Sequence, residues 1–418
     1  MDNLQSALPG RGRLRVSVVG RGTAWPVDGA DVRITPRLGE GAVIEELTTD
    51  SSGQTDTVTL PAPPLDYSLA PPGSKPYAEY DLEISAPGFD TVRIEAAQVL
   101  PDTGGIQNVQ LSEQVGPTVQ TTTITVPPNT LWGSFPPKVP EDEVKPLPDA
   151  GGFVVLPEPV IPEFIIVHAG APSNASAPNY WVPFRDYIKN VGCCEIYATW
   201  PTATIRANIL AILSFTLNRV YTEWYRSRGY DFTITNSTAY DHAFSYGRNL
   251  YQEVSLVVDE IFTNYITRPG IRQPLLTQYC DGNQVQCPGW MTQWGSKNLG
   301  DQGYDTMDIL RNFYGYDIYL MTAEEVEGVP SSFPGEVLHV GSTGAAVRTI
   351  QSQLNAIARA YPALPTLAVD GVYGQDTRAA VEAFQRIFNL NISGMVDFST
   401  WYAISKTYVA VTRMAELV

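Results

Sequence analysis

Cysteine, histidine, positive charge and long apolar runs are all scarce in this chain. Four cysteines and three histidines in 418 residues are too few for a disulfide scaffold. Two of the four, Cys193 and Cys194, are adjacent, a spacing from which one metal ion is not readily chelated. Cys280 and Cys287 are expected to be plain thiols, with pairing or metal ligation as the alternatives. No run of 18 apolar residues occurs, so no membrane-spanning helix and no membrane partner are expected. The opening MDNLQSALPGRGRLRV has no apolar run of signal-peptide length, so a soluble protein made without a recognisable signal peptide is expected. The 27 Lys and Arg residues face 44 Asp and Glu, a formal net charge of -17, of which -11 falls on residues 1–162. No basic stripe exists to neutralise phosphates, which argues against nucleic acid as the main partner.

What is present is ample for folded cores: 44% hydrophobic and 11% aromatic residues, at a length that favours several domains. Near the start, Leu14, Val16 and Val18 alternate with polar residues. So do Val32 and Ile34, Val58 and Leu60, Leu82 and Ile84, and Val92 and Ile94. Short half-buried strands separated by Gly, Pro, Asp and Ser are the pattern of a small β-sandwich, assigned to residues 1–113. Residues 114–162 are Pro-rich and acidic, with FPPKVPEDEVKPLPD at their centre. Repeated proline fixes φ and removes amide donors, so an extended linker is expected, and an exposed one is a natural processing site.

From Phe164 the texture becomes mixed α/β, and a domain is assigned to 163–325. Ile205, Ile209, Ile212, Leu213, Val220 and Trp224 recur at helical spacing between Pro201 and Gly229, which predicts a long buried helix. Further helices are expected over Ser255–Thr267 and over Thr306–Tyr314, the latter closed by Gly315. In residues 334–418, two amphipathic stretches, VRTIQSQLNAIARAY and TRAAVEAFQRIF, flank the turn-rich VDGVYGQD. SGMVDFSTWYAIS repeats the turn-then-helix pattern, so a small all-α module is expected.

Several of these stretches resemble known families. PVDGADVRI, TTDSSGQT and YDLEISAPGFDTVRI resemble the prealbumin-type, carboxypeptidase regulatory-like sandwich, to which no chemistry is assigned. HVGSTGAAVRTIQSQLN, DGVYGQDTRAAVEAFQRIFNL and SGMVDFSTW resemble the common peptidoglycan-binding domain. The match includes Gly341, Gly344, Asp370, Gly371, Gly374, Thr377, Phe384, Gln385, Gly394 and Trp401. The middle region resembles the SpoIID family of peptidoglycan lytic transglycosylases. Tyr187, Val191 and Glu195 stand where that family has its Tyr-Val-Glu frame, Trp200 and Pro201 where it has Trp-Pro, and MTQWG (291–295) where it has its late Gln-Trp-Gly motif. Phrases such as VPFRDYIKNV and CPGWMTQWG are similar to the clostridial germination-specific spore cortex-lytic enzymes, which join both domain types.

The resemblance implies a spore protein located near the cortex and coat boundary, with cortex peptidoglycan as substrate. It also implies a zymogen cut by a subtilisin-like Csp protease, with the cut expected near 141–162. A lytic transglycosylase needs one carboxyl that donates a proton to the MurNAc-GlcNAc bond oxygen and then takes one from the C6 hydroxyl, leaving a 1,6-anhydro end; no cofactor is expected. Residue chemistry alone reads Glu195 as a helix-start residue favoured by the macrodipole. Its place in the family frame makes it the catalytic candidate, kept protonated by apolar neighbours. Gln293, Trp294, Tyr279, Asp281 and Trp200 are the substrate-binding candidates, since indole faces stack on sugar rings and amides bond their hydroxyls.

The sequence departs from the family in two places. TNSTAYDHAFSYG offers Asn236, Asp241 and His242 but no cysteine, so no zinc is expected there. An Arg of the long helix is replaced by Leu213, with Arg206 or Arg219 as substitutes. His168 and His339 are expected to be ordinary core or surface residues. An N-acetylmuramoyl-L-alanine amidase and a non-catalytic cortex-binding scaffold are the competing readings.

Overall fold

The alternation near the N-terminus becomes strand pleat in the computed structural model, which describes residues 10–37, 42–71, 73–147, 158–328 and 333–412. In β1 (Gly10–Gly20) every second side chain turns inward, and Leu14, Val16 and Val18 are fully buried. β2 (Asp31–Pro36), β3 (Glu45–Thr48), β4 (Val58–Ala62), β5 (Ala78–Ser85), β6 (Thr91–Val99), β7 (Gly104–Leu111) and β8 (Thr121–Thr125) complete the N-terminal strands. One sheet has the order β3-β2-β5-β6-β8. The other is built around β1, which pairs antiparallel with β4 and parallel with β7. Their inner faces share one core of Val, Ile, Leu and Tyr side chains. β8 lies beyond residue 113, in the segment expected to be linker; its parallel pairing with β6 adds it to the sandwich.

The middle region contains, in order, β9 (Phe164–His168), β10 (Asn179–Pro183), α1 (Phe184–Glu195), α2 (Thr202–Tyr221), β11 (Ile234–Thr235), β12 (Leu250–Tyr251) and α3 (Gln252–Ile261). It continues with β13 (Asn264–Thr267), β14 (Tyr279–Cys280), β15 (Met291–Thr292), α4 (Gln293–Asp301), α5 (Thr306–Tyr314) and β16 (Tyr319–Thr322). α2 is apolar around most of its circumference and is accordingly buried, the centre on which α1, α3, α4 and α5 pack. Pro201, at φ -54°, sets its entry. α3 stops at Ile261, short of the Thr267 end expected from its helical spacing. Residues 264–267 pair instead with β16, more than fifty residues away, and that pairing overrides the local period.

Three helices close the chain: α6 (Ala345–Ala358), α7 (Gln375–Ile387) and α8 (Phe398–Thr412). Two buried glutamines repeat one device. The Gln351 amide bonds Asp370 Oδ1 (2.9 Å), Val372 O (3.1 Å) and Thr377 Oγ1 (3.2 Å) and accepts from Gly371 N (2.9 Å). Gln385 does the same with Met395 O (2.9 Å), Thr400 Oγ1 (3.1 Å) and Gly394 N (2.9 Å). Gly371 and Gly394 sit at φ 77° and 65°, where a side chain would strain the turn that each glutamine holds. This module docks on the middle domain: Phe262 meets Tyr402 at 5.2 Å and Phe398 at 5.4 Å, and Lys406 pairs with Asp186 at 2.6 Å.

Candidate active site

Glu195 is the last residue of α1, not a helix-start residue. Pro183, with φ -53°, starts the helix twelve residues earlier. The carboxyl therefore stands at the carbonyl end of the macrodipole, where an anion is disfavoured. Gly192 lets α1 approach its neighbours: a Cβ there would meet Ile209 Cδ1 at 2.7 Å and Val254 Cγ1 at 2.9 Å.

The Glu195 side chain is buried, at 4% exposure, and each carboxyl oxygen has a defined partner. Oε1 accepts from Ala243 N at 2.7 Å. Oε2 accepts from Thr130 Oγ1 at 3.2 Å and Gln293 Nε2 at 3.3 Å. Gln293 also donates to the Glu195 carbonyl at 2.8 Å, which fixes the amide at the start of α4. Burial pushes the Glu195 carboxyl up. The Lys138 ammonium and the hydrogen bonds from Ala243, Thr130 and Gln293 pull the other way without cancelling it.

Glu195 opens on a cavity of about 50 Å³ whose walls include Thr130, Phe135, Lys138, Tyr279 and Gln293. That volume admits water but not a sugar ring; ligand pockets are typically about 300–1,000 Å³. Tyr279 faces the cavity, and burial, with Glu195 beside it, pushes its hydroxyl well up. Asp281 lines the same wall, with its carboxylate held by Gln284 N (2.5 Å) and Val285 N (2.8 Å). Glu195 and Asp281 are thus the two carboxyls of this wall, and both accept hydrogen bonds.

Behind it lies a charged layer. Arg219 is fully buried, with Nε on Asp241 Oδ1 at 2.8 Å and its fork on Glu141 at 2.6 and 3.0 Å. Asp241 also accepts from Tyr225 Oη (2.7 Å), Thr235 Oγ1 (2.7 Å) and Thr235 N (2.9 Å). Arg219 is thus the arginine of α2 that lies beside the site, while Arg206 pairs with Glu260 on the exposed side. His242 is buried, with Nδ1 3.1 Å from Tyr187 Oη; burial, with Lys138 and Arg219 nearby, keeps it neutral.

Of the residues expected at the site, Glu195, Gln293, Tyr279 and Asp281 come together. Trp200 and Trp294 do not present stacking faces. They pack against each other at 5.1 Å and on Tyr197, and Trp200 Nε1 donates to Ser68 O of the sandwich at 2.9 Å. Cys280 and Cys287 form a disulfide rather than the thiols expected, because the β14–β15 pairing folds the intervening loop back and brings their Cα atoms to 5.8 Å. Cys193 and Cys194 are buried free thiols, the former pushed up to about 12 by burial. His168 stacks on Phe232 at 4.4 Å and His339 is exposed. Thr130 and Lys138 belong to the segment read as a featureless linker, and no signal in the sequence pointed to either. Among the described residues, no three His, Cys, Asp or Glu side chains converge as a metal site would require, and no helix is long and apolar enough to cross a membrane.

The architecture defines a multidomain α/β protein whose C-terminal helical module accompanies a domain in which burial pushes the Glu195 carboxyl up. The family described as "Putative peptidoglycan binding domain" matches residues 343–404, so the chain carries a peptidoglycan-binding domain and peptidoglycan is a partner. No curated protein matches the chain. Solved structures with partial likeness include the Bacillus anthracis TIE protein, 14% identical over 25% of this chain and 17% of that one, TM-score 0.18. Others are (S)-allantoin synthase, 13% identical over 25% and 42%, TM-score 0.19, and GBS52, the minor pilin of Streptococcus agalactiae, 12% identical over 27% and 49%, TM-score 0.18. The chain thus spans less than half the length of each.

Proposed function

We propose that the protein is a peptidoglycan lytic transglycosylase of the spore cortex-lytic type, similar to SleC, located near the cortex and coat boundary. In this reading it is made as a zymogen that a Csp-type protease activates. The observation that carries the chemistry is the lone acid. Glu195 is buried at a helix carbonyl end with its carboxyl pushed up, and the other carboxylate of the wall, Asp281, is tied to two backbone amides. An inverting hydrolase needs a second, water-activating carboxylate roughly 6.5–9.5 Å away. A transglycosylase needs only one group that gives a proton and takes one back.

In the proposed reaction, Glu195 in its acid form protonates the oxygen linking MurNAc to GlcNAc, and the C1–O bond breaks. The C6 hydroxyl of the same MurNAc attacks C1 and gives its proton to Glu195, which restores the acid and closes the 1,6-anhydro ring. Ala243 N–H and Gln293 hold the carboxylate between the two steps. The peptidoglycan-binding domain keeps the polymer within reach of this centre.

Mass spectrometry of muropeptides released from cortex peptidoglycan tests the reading. Anhydro-muramyl ends are expected. Free stem peptides would instead indicate the amidase, and binding without turnover the scaffold; either would overturn it.

A further inference from the structure

The segment between the sandwich and the middle domain lies along the site as a bound peptide does. Asn129 Nδ2 donates to the Cys193 and Ile196 carbonyls (3.2 and 3.3 Å), and Thr130 N to the Cys194 carbonyl (2.9 Å). Lys138 Nζ donates to the Asp241 carbonyl and lies 5.1 and 5.0 Å from the ring centres of Phe215 and Tyr279, in the cavity wall beside Glu195. Beyond it, the Gln278 amide bonds Val139 O (2.8 Å) and Glu141 N (2.8 Å), and Gln273 bonds both Lys145 N and O at 2.9 Å. Glu141 takes the fork of Arg219, and Glu143 that of Arg268 at 3.0 Å. Side-chain amides that read a backbone, and arginines that read its carboxylates, form a surface for an extended acidic chain.

Resting on the transglycosylase reading, we propose that residues 129–145 are a pseudosubstrate strap. In it, Lys138 holds the subsite at Glu195, and Glu141 and Glu143 hold Arg219 and Arg268, a surface that otherwise takes the carboxylates of a peptide-bearing glycan. Glycan cleavage builds positive charge on the anomeric carbon next to the acid. An ammonium over two aromatic faces beside Glu195 occupies a place suited to that charge. The same ammonium favours the ionised carboxyl, so the strap blocks the cavity and opposes the proton-bearing form of the acid together. Its anchors are non-covalent and lie on both sides of Lys138. Cutting the chain after residue 145 therefore leaves the strap seated, and activation has a second step, its dissociation.

The test uses the full uncut chain, wild type beside Lys138→Met and Glu141→Gln/Glu143→Gln. The readouts are hydrogen exchange at the Val139, Glu141 and Lys145 amides and binding of an N-acetylglucosamine tetrasaccharide by calorimetry. Slow exchange and no measurable binding are expected for wild type. Exchange at least tenfold faster is expected in the double variant, and gained tetrasaccharide binding in both. Wild-type behaviour in both variants would overturn the strap. Neither readout needs turnover, so an opened groove that releases no anhydro product from peptidoglycan would sustain the strap and refute the transglycosylase reading.

Discussion

Replacing Glu195 with Gln separates chemistry from stability. The amide is close in shape to the carboxyl, so its oxygen keeps the Ala243 N–H bond of 2.7 Å, and its NH₂ faces Thr130 Oγ1, a hydroxyl able to accept. Only the contact with Gln293 Nε2 turns from attractive to repulsive, and Gln293 retains its 2.8 Å bond to the Glu195 carbonyl. With one hydrogen bond lost at about 0.5–1.5 kcal/mol, the variant folds. Loss of general acid catalysis costs about 10²–10⁴-fold in rate. Stability shows the opposite pattern. Because the folded-state carboxyl is pushed up by burial, Glu195 makes its full contribution to stability below the ordinary Glu value of about 4.3, and that contribution is lost as pH rises through the raised value. Each unit of that rise is worth about 1.4 kcal/mol. The amide does not titrate, so Glu195→Gln gains on wild type as pH rises from about 4, to a plateau above the folded value. Denaturant unfolding at a series of pH values, with muropeptide analysis of activated protein, reads both. A stability difference that stays constant with pH, or turnover by the variant at the wild-type rate, would refute the reasoning.

Three further outcomes follow from buried polar groups and the disulfide. Arg219→Met strips the fully buried Asp241 of its cation and leaves Glu141 with Lys145 alone, and a loss of about 3–5 kcal/mol is expected in denaturant unfolding; a neutral change would show that the layer is not structural. Gln385→Ala leaves Gly394 N unpaired and the Met395 carbonyl with only the 3.4 Å contact from Ser393 Oγ, so about 1–3 kcal/mol is lost for the stranded amide, and peptidoglycan pelleting falls with it. Replacing Cys280 and Cys287 together with Ser opens a loop with a sequence separation of 7. It costs about 2–3 kcal/mol, read as a lowered Tm matched by wild type under reductant.

The sequence was most legible where local chemistry decides. The strand alternation of Leu14, Val16 and Val18, the long apolar α2, the Gly315 stop and the turn-then-helix repeat around Gln351 and Gln385 all depend on near neighbours. Residue chemistry alone puts Glu195 at a helix start, because CCE followed by an apolar run and Trp-Pro looks like one, whereas α1 starts after Pro183 and Glu195 ends it. Tyr265 fits a helical period with Val257 and Ile261 equally well, and only β16 draws it into a strand. Both indoles were read as sugar platforms on residue type, but packing against Tyr197 and Ser68 removes them from the surface. Lys138 and Thr130 were not legible at all. A proline-rich stretch has no period, and its partners are named only by the tertiary fold.

β12 carries a consequence for cooperativity. This two-residue strand of the middle domain joins the sandwich sheet beside β7, pairing Leu250 with Ile106 and Tyr251 with Gly105. Asn249 and Arg248 bond Gln98 of β6 as well. A sheet whose edge is donated by the next domain melts with that domain, so the two regions form one thermodynamic unit. Severing the chain between them would yield two fragments that behave as a complemented pair in the resting state, co-migrating and unfolding in a single transition for as long as the strap stays seated.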